Sequence, residues 1–371
     1  MPTDPDAPRY ARQRILAGFG RDAQVRLAEA HVVVIGAGGL GSTVLPALAA
    51  AGVGTISIVD DDIVDASNLH RQTLFTPADV GRPKVDAAAD AMAALAPDVT
   101  ILRHPLRFAA GTTFDLLLDA DLLIDGSDNL DTRYLANDAA AVRAIPLVWG
   151  SALRWSGQVG VAWDERGVDY RDLFPEQPEA AAETCEIAGV LPTVCAVTGA
   201  MMATEALKLL TGTGEPLIGR VAVYDALTGS TREIAYRRDP GAPRPGSLEE
   251  RTALREPDPA RSVTAEQLAK LLAGPETAGV HETPPVLLDV RERPEASFAS
   301  LPGSVLIPLG ELPDRIGELD PSASMVVYCH HGVRSARALD LLEKAGFARA
   351  RHLTGGLDAW SLTVDATVPR Y

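Results

Sequence analysis

The stretch HVVVIGAGGLG, residues 31–41, decides the fold. Residues 32–35 are a β-branched run without charge, which suits a strand buried on both faces of a parallel sheet. The chain then turns through Gly36, Gly38, Gly39 and Gly41 into the alanine-rich run 42–51, which reads as a helix. Strand, glycine turn and helix in this order aim backbone N–H groups and the positive end of a helix dipole at a phosphate. A second apolar run, residues 55–59, ends in Asp60, Asp61 and Asp62, where an acid can accept hydrogen bonds from ribose hydroxyls. A nucleotide is expected here, and to this point an NAD site fits as well as any other.

At 371 residues the chain is too long for one ordinary domain, so two are expected. A net charge of −16 excludes a nonspecific nucleic-acid binder, which needs a basic stripe. The start, MPTDPDAPRY, has neither the basic nor the apolar part of a secretory signal. The uncharged, apolar stretch 187–203 falls short of a membrane span and contains Gly189, Pro192 and Gly199, so a buried helix is expected and no membrane. Three cysteines make no disulfide framework, which points to a reducing cytoplasm and to cysteine chemistry that is catalytic.

Ahead of the first strand, Tyr10, Ile15, Leu16, Phe19, Val25 and Leu27 recur at helical spacing, with Arg12 and Arg14 among them. Taken alone, these arginines read as surface charges. After Asp62 come Asn68, Arg71 and Lys84, the last opening a helical run. They are either a solvated loop or cations gathered for a polyphosphate, since Arg matches phosphate oxygens as a fork and Lys as a point charge. Residues 121–125 read as a strand ending at Asp125 and Asp128, where open α/β sheets collect ligands. A carboxylate there, beside a triphosphate, suits Mg²⁺. Residues 145–163 give two more strands, and residues 170–190, rich in Pro, Glu and Ala, read as a mobile loop holding Cys185. Cys195 reads as a small core residue.

The motifs RYARQ (9–13), GAGGLG (36–41), DDDIVDASNLHRQ (60–72), GRPKV (81–85), DGSDN (125–129) and TCEIAGVLP (184–192) resemble those of the MoeB/ThiF adenylyltransferases that activate ubiquitin-like sulfur carriers. The resemblance covers residues 9 to about 238 and implies a Rossmann-like adenylation domain. It implies that Asp60 binds the ribose of ATP and that Asn68, Arg71 and Lys84 engage the nucleotide and its phosphates. Asp62, Ser67 and Asn129 join the same site, and Asp128 binds Mg²⁺. It implies further that Arg12 reaches into the neighbouring subunit's site, hence a homodimer, and that Cys185 matches a loop cysteine that links covalently to the activated carrier in some members. The partner implied is a carrier ending in Gly-Gly, whose C-terminal carboxylate attacks the α-phosphate of ATP. One departure stands out. Many members hold a structural zinc with two C-x-x-C pairs, and the corresponding places here read Asp169 and Asp172, then Ala242 and Pro245. Aspartates are a poor substitute for thiolates, so no zinc is expected and packing should brace this corner.

Residues 239–261 carry five prolines and almost no apolar pattern, a linker between domains at 1–238 and 262–371. In the second domain, MVVYCHHGVRSARALDLLEKAGF runs from strand through Cys329 and a glycine loop into a helix beginning near Ser335. That geometry surrounds a sulfur with backbone N–H groups, a helix N-terminus and Arg334, all favouring a thiolate or persulfide anion. Four residues separate Cys329 from Arg334, one fewer than in the cysteine phosphatase loop. The shorter loop, with LLDVRE (287–292), LPGSVLIP (301–308) and TGGLDAW (354–360), resembles the rhodanese sulfurtransferases, a smaller α/β fold. His330 and His331 lie in the same loop and read as incidental or tuning residues. Together the two halves imply ATP-dependent adenylation of a sulfur carrier followed by sulfur transfer from a Cys329 persulfide, charged by thiosulfate or a cysteine desulfurase persulfide. An NAD-dependent oxidoreductase and a noncatalytic carrier-binding scaffold are the competing readings.

Overall fold

Every residue of β1 (His31–Ile35) from Val32 onward is buried, and successive side chains feed opposite cores. Val32 and Val34 join one cluster, Val33 and Ile35 the other, which is what a strand covered on both faces requires. The computed structural model describes residues 3–175, 188–244, 261–273, 284–330 and 332–369. The described residues up to 244 form one compact unit and those from 261 onward a second.

In the first unit β1 lies between β2 (Thr55–Val59) and β4 (Leu122–Asp125), with β3 (Thr100–His104) beyond β2 and β5 (Leu147–Leu153) beyond β4. These five strands are parallel. The sheet continues antiparallel through β6 (Ser156–Ala162), β7 (Arg220–Asp225) and β8 (Ser230–Ala235). The order 3-2-1-4-5 reverses between β1 and β4, so their carboxyl ends open the crevice in which doubly wound sheets bind ligands. The expected glycine turn and helix are there: α3 (Gly41–Ala51) follows β1 and ends at Gly52, whose φ of +87° terminates it in the left-handed region.

Before β1 the apolar spacing resolves into two helices, α1 (Ala11–Arg14) and α2 (Gly20–Glu29), because Gly18 and Gly20 both take positive φ. Tyr10 and Leu27 reach the core, whereas Ile15 and Leu16 are exposed. α4 (Lys84–Leu95), α5 (Ala110–Leu116) and α6 (Leu130–Val142) connect the parallel strands. The long uncharged stretch becomes α7 (Pro192–Thr211), the one described helix long and apolar enough to cross a membrane. It is a core helix: Val194, Cys195, Met202 and Ala206 pack with Val44, Leu48, Val148 and Val159.

The expectation of a loose loop from residue 170 onward is corrected for its first five residues. Tyr170 stacks edge-on against Tyr134 and Trp149 at 5.3 and 5.1 Å, and Phe174 closes the cluster. Arg171 pairs with the buried Asp138 of α6 at 2.9 Å. Four aromatic rings and a buried ion pair hold this segment, features that its Pro- and Glu-rich continuation masks in the sequence. Residues 176–187 of that loop, including Cys185, lie outside the described residues; at its far end the Gly189 carbonyl accepts the Arg154 amide at 2.8 Å and Val190 bridges Arg154.

The second unit is a five-stranded parallel sheet in the order β11-β10-β12-β13-β9. Its strands are β9 (Ser262–Val263), β10 (Val286–Asp289), β11 (Val305–Leu306), β12 (Met325–Tyr328) and β13 (Ala350–Leu353). β12 is central and fully buried. Met325 and Val327 face one core with Ala338 and Leu342, while Val326 and Tyr328 face the other with Leu357 and Trp360. The helix after the cysteine loop spans Val333–Lys344, two residues earlier than expected, because Gly332 at φ +96° turns the chain directly into it.

Candidate active sites

The first site is built at the carboxyl ends of β1 and β4. A side chain on Gly41 would lie 2.1 Å from the Gly36 carbonyl oxygen, so two of the four glycines close the turn on itself. Asp60, at the end of β2, secures the turn from the other side. Its Oδ2 accepts the Ala37 N–H at 2.7 Å and its Oδ1 accepts that of Asp62 at 2.9 Å. Burial raises the pKa of Asp60, and the Lys84 charge partly offsets the rise.

Lys84 arrives beside these acids because the segment after Asp62 pairs with the segment before α4. Ile63 bridges Pro83, Val64 N–H donates to Arg82, and Lys84 N–H donates to the Asp62 carbonyl at 2.9 Å. The Lys84 side chain is 6% exposed, and its Nζ reaches Asp62 Oδ2 at 2.6 Å. Burial pulls its pKa down, but Asp60 and Asp62, and more distantly Asp128, outweigh that and hold it above the ordinary lysine value. The result is a buried positive charge beside Asp60 and Asp62 at the crevice.

Asp125 and Asp128, three positions apart, do different things. Asp125 is fully buried, pairing with Arg133 of α6 at 2.8 Å and accepting the Ser127 amide and hydroxyl. Arg133 goes on to the carbonyls of Ser127 and Gly150, so Asp125 belongs to the fold. Asp128 is exposed at the same strand end and is close enough for Lys84 to feel its charge. Asn129 caps α6, its Oδ1 accepting the Thr132 amide at 2.8 Å. Ser67 gives both its amide and its hydroxyl to Asp65, and the Asn68 carbonyl receives the amides of Arg71 and Gln72. The stem of Arg71 runs over the glycine turn, its Cγ 3.6 Å from where a Gly39 side chain would begin. Cys195 abuts the same glycine from α7. Burial raises its thiol pKa, against a smaller pull from Arg71, as befits a core residue.

Two residues that sequence reasoning passed over border this site. Ser42, in the first turn of α3, and Gln72, beside Gly38, are each 4% exposed, and neither Ser42 Oγ nor Gln72 Oε1 has a partner among the described residues. A buried polar atom without a partner is costly and calls for one. Gln72 stood in a quoted motif next to Arg71, and that adjacency was the available signal. Arg12 is not part of this assembly. It lies exposed on α1, next to Ile15 and Leu16, which are 72% and 58% exposed.

The second site sits at the end of β12. Cys329 is 1% exposed. Its Sγ accepts the amide N–H of Gly332 at 3.1 Å and that of Ser335 at 3.4 Å, with the Ser335 hydroxyl at 3.7 Å. A helix N-terminus and two amides thus converge on one sulfur, an arrangement that favours negative charge there. Arg334, in the first turn of that helix, holds both carboxylate oxygens of Glu295 at 2.7 and 2.6 Å. Glu295 is a partner that the spacing of the cysteine loop did not reveal. Burial pushes the Glu295 pKa up, but Arg334 outweighs it and keeps the carboxyl below the ordinary range. His330 is buried, and His331 lies outside the described residues.

The flanking motifs brace this loop. Leu357 and Asp358 amides donate to the Cys329 and His330 carbonyls at 2.8 and 3.0 Å. That approach needs Gly356, since a side chain there would lie 2.2 Å from the His330 oxygen. Arg291, fully buried, pairs with Asp289 and lies 5.5 Å from the Tyr328 ring, while Tyr328 Oη accepts from Leu301 and donates to Ser304.

The comparisons with known proteins agree with this construction. The ThiF family model matches residues 10–243, and the rhodanese-like domain model matches residues 264–363. A probable adenylyltransferase/sulfurtransferase MoeZ of Mycobacterium tuberculosis is 42% identical over 99% of this chain and 95% of its own. A sulfur carrier protein adenylyltransferase of Thermus thermophilus is 46% identical over 65% of this chain and 91% of its own. The adenylyltransferase and sulfurtransferase MOCS3 of Arabidopsis thaliana is 33% identical over 98% and 85%. Among solved structures, E. coli MccB with AMPCPP and MccA superposes with a TM-score of 0.58 at 20% identity, covering 65% of this chain and 75% of that one. Fold, motifs and relatives converge: the chain belongs to the ThiF family and carries a C-terminal rhodanese-like domain.

Proposed function

We propose that this protein adenylates the C-terminal glycine of a ubiquitin-like sulfur carrier with ATP and then delivers sulfur to it from a Cys329 persulfide. The observation that supports this most directly is the pairing in one chain of a charged phosphate crevice with a strand-end cysteine whose sulfur receives two amide N–H groups. In the first step the carrier carboxylate attacks the α-phosphate, forming an acyl–phosphate bond and releasing pyrophosphate. Lys84, Arg71 and the amides at the N-terminus of α3 counter the charge that builds on the phosphates. The Ser42 hydroxyl and the Gln72 amide nitrogen, which lies beside Gly38, donate further hydrogen bonds to the triphosphate, and Asp60 and Asp62 take the ribose. Asn68, Ser67 and Asn129 shape the rim.

Asp128 fits a magnesium ion: it is an exposed carboxylate at the ligand end of β4, whereas Asp125 is already saturated. The ion would supply charge neutralisation on the phosphates. Arg12 serves the site of a second subunit, so the working form is a homodimer in the cytoplasm.

In the second step the outer sulfur of the Cys329 persulfide attacks the acyl carbon and AMP leaves. This gives an acyl disulfide to Cys329, and a thiol must then break the S–S bond to free the thiocarboxylate. We assign that thiol to Cys185, with a disulfide to Cys329 as the product. An external dithiol reduces the Cys185–Cys329 disulfide to two thiols and becomes a disulfide itself, after which thiosulfate, releasing sulfite, or a protein persulfide, releasing its thiol, recharges Cys329.

ATP–pyrophosphate exchange tests the first step. Exchange that depends on a carrier ending in Gly-Gly supports the reading, and nicotinamide binding with no exchange would replace it with the oxidoreductase one. A scaffold would show neither exchange nor a persulfide on Cys329.

A further inference from the structure

The corner in which many relatives hold a structural zinc contains a cation of the chain's own. The resemblance assigns the four metal-ligand places to Asp169, Asp172, Ala242 and Pro245, of which the first three are described. They do not fit zinc. Ala242 presents a buried methyl group and no donor atom. The two carboxylates are already engaged by the backbone: Asp169 Oδ1 accepts the Arg171 and Asp172 amides at 2.8 and 3.2 Å, and Asp172 Oδ2 accepts the Asp169 amide at 2.7 Å. What enters instead is the guanidinium of Arg244. Its Nη2 is hydrogen-bonded to Asp172 Oδ1, its Nη1 lies 3.2 Å from Asp169 Oδ1, and its Nε lies 3.6 Å from Asp164 Oδ1. Asp172 Oδ1 also accepts the Asp239 amide at 2.8 Å, and Arg238 reaches Asp164 at 2.9 Å.

We infer that Arg244 is a built-in replacement for the structural metal: a guanidinium clasp that fastens residues 238–244 onto the turn at residues 169–172. The two side chains it neutralises, Asp169 and Asp172, are 2% and 0% exposed, so they need a cation whether the chain supplies it or the solvent does. The guanidinium meets that need with one hydrogen bond, to Asp172, and its charge beside Asp169 and Asp164, where a carboxylate pair without thiolates holds zinc poorly. The turn that is clasped also carries Tyr170 and Arg171, so the clasp steadies the aromatic cluster from which the Cys185 segment departs.

The full chain tests this in two ways. Purified protein should contain far less than one zinc per chain, and incubation with EDTA or phenanthroline should leave its thermal transition unmoved. Arg244→Met should lower the melting temperature of the first unit by about 5–10 °C, because it leaves two buried carboxylates without a cation. Limited proteolysis after residue 236 should speed up in parallel. Arg244→Lys, which keeps the charge but loses the fork, should show a smaller drop and guards against a Met variant that does not fold. Adding Asp169→Asn and Asp172→Asn to Arg244→Met should recover part of the loss. Stoichiometric zinc with chelator-sensitive melting would overturn the inference, as would an Arg244→Met protein that melts and resists protease like wild type.

Discussion

Lys84 is buried to 6% side-chain exposure and still charged, because Asp60 and Asp62 face it and outweigh the burial. Its charge is therefore fixed across any working pH, and its loss should be felt where negative charge develops. Lys84→Met is expected to cut ATP–pyrophosphate exchange about 10²-fold or more. Gln72→Leu should weaken ATP binding about tenfold, by one lost charge-assisted hydrogen bond, while leaving AMP affinity almost unchanged; calorimetry with a nonhydrolysable ATP analogue and with AMP separates the two. Equal loss for both nucleotides would make Gln72 a packing residue. The sequence made Lys84, Arg71 and Asp60 legible because charge at the end of a strand has few other uses. It did not expose Ser42 or Gln72, since a buried serine or glutamine looks like any core-edge residue until its partnerless atom is seen. Nor could it separate Asp125 from Asp128: two acids three positions apart differ only in that Arg133 has folded over one of them.

At the scale of elements, glycines set how closely turns approach. Gly41→Ala would push a methyl group into the Gly36 carbonyl at 2.1 Å, and should cost about 2–4 kcal/mol in stability or abolish folding. In the second unit, Glu295→Gln tests the pair that holds the first turn of the cysteine helix. The folded Glu295 has a lowered pKa, so the stabilisation exists above the ordinary glutamate value of 4.5 and disappears as pH falls through the lower folded value. The variant should lose about 1–3 kcal/mol at neutral pH, by thermal melting, with the gap to wild type constant down to pH 5 and closing below 4.5. A gap that closes between pH 7 and 6 would assign the effect to another group. β1, β2, β4, β5, β6 and β12 and the helices α3, α4 and α7 followed from the apolar pattern, and so did the position of Cys329 at a strand end, whereas β3, β7, β8 and α5 did not. The ordered turn at Tyr170 did not, because its stability comes from rings at positions 134, 149 and 174 that meet only in the folded sheet.

For the whole molecule, the exposed Arg12, shortly before the exposed Ile15 and Leu16, has no hydrogen bond or ion pair among the described residues of its own unit. If it completes a partner subunit's site, Arg12→Ala and Lys84→Met proteins, each nearly inactive, should regain about a quarter of wild-type exchange when refolded together, since mixed dimers hold one intact site. No recovery would place Arg12 outside the reaction. The two-unit plan itself was legible from the motifs, which are local; the identity of the corner cation was not, because Arg244 meets Asp164, Asp169 and Asp172 only when residues some 70 positions apart come together. Joining an acyl-activating unit to a persulfide-bearing one raises the local concentration of the sulfur donor at the activated carboxyl. Intact mass spectrometry of carriers ending in Gly-Gly, incubated with this protein, Mg-ATP and a sulfur donor, tests that coupling directly. The account predicts that the carrier exchanges its carboxylate oxygen for sulfur with wild-type protein and gains no sulfur with Cys329→Ala, while pyrophosphate exchange continues in both. A thiocarboxylate formed equally well by Cys329→Ala would contradict it.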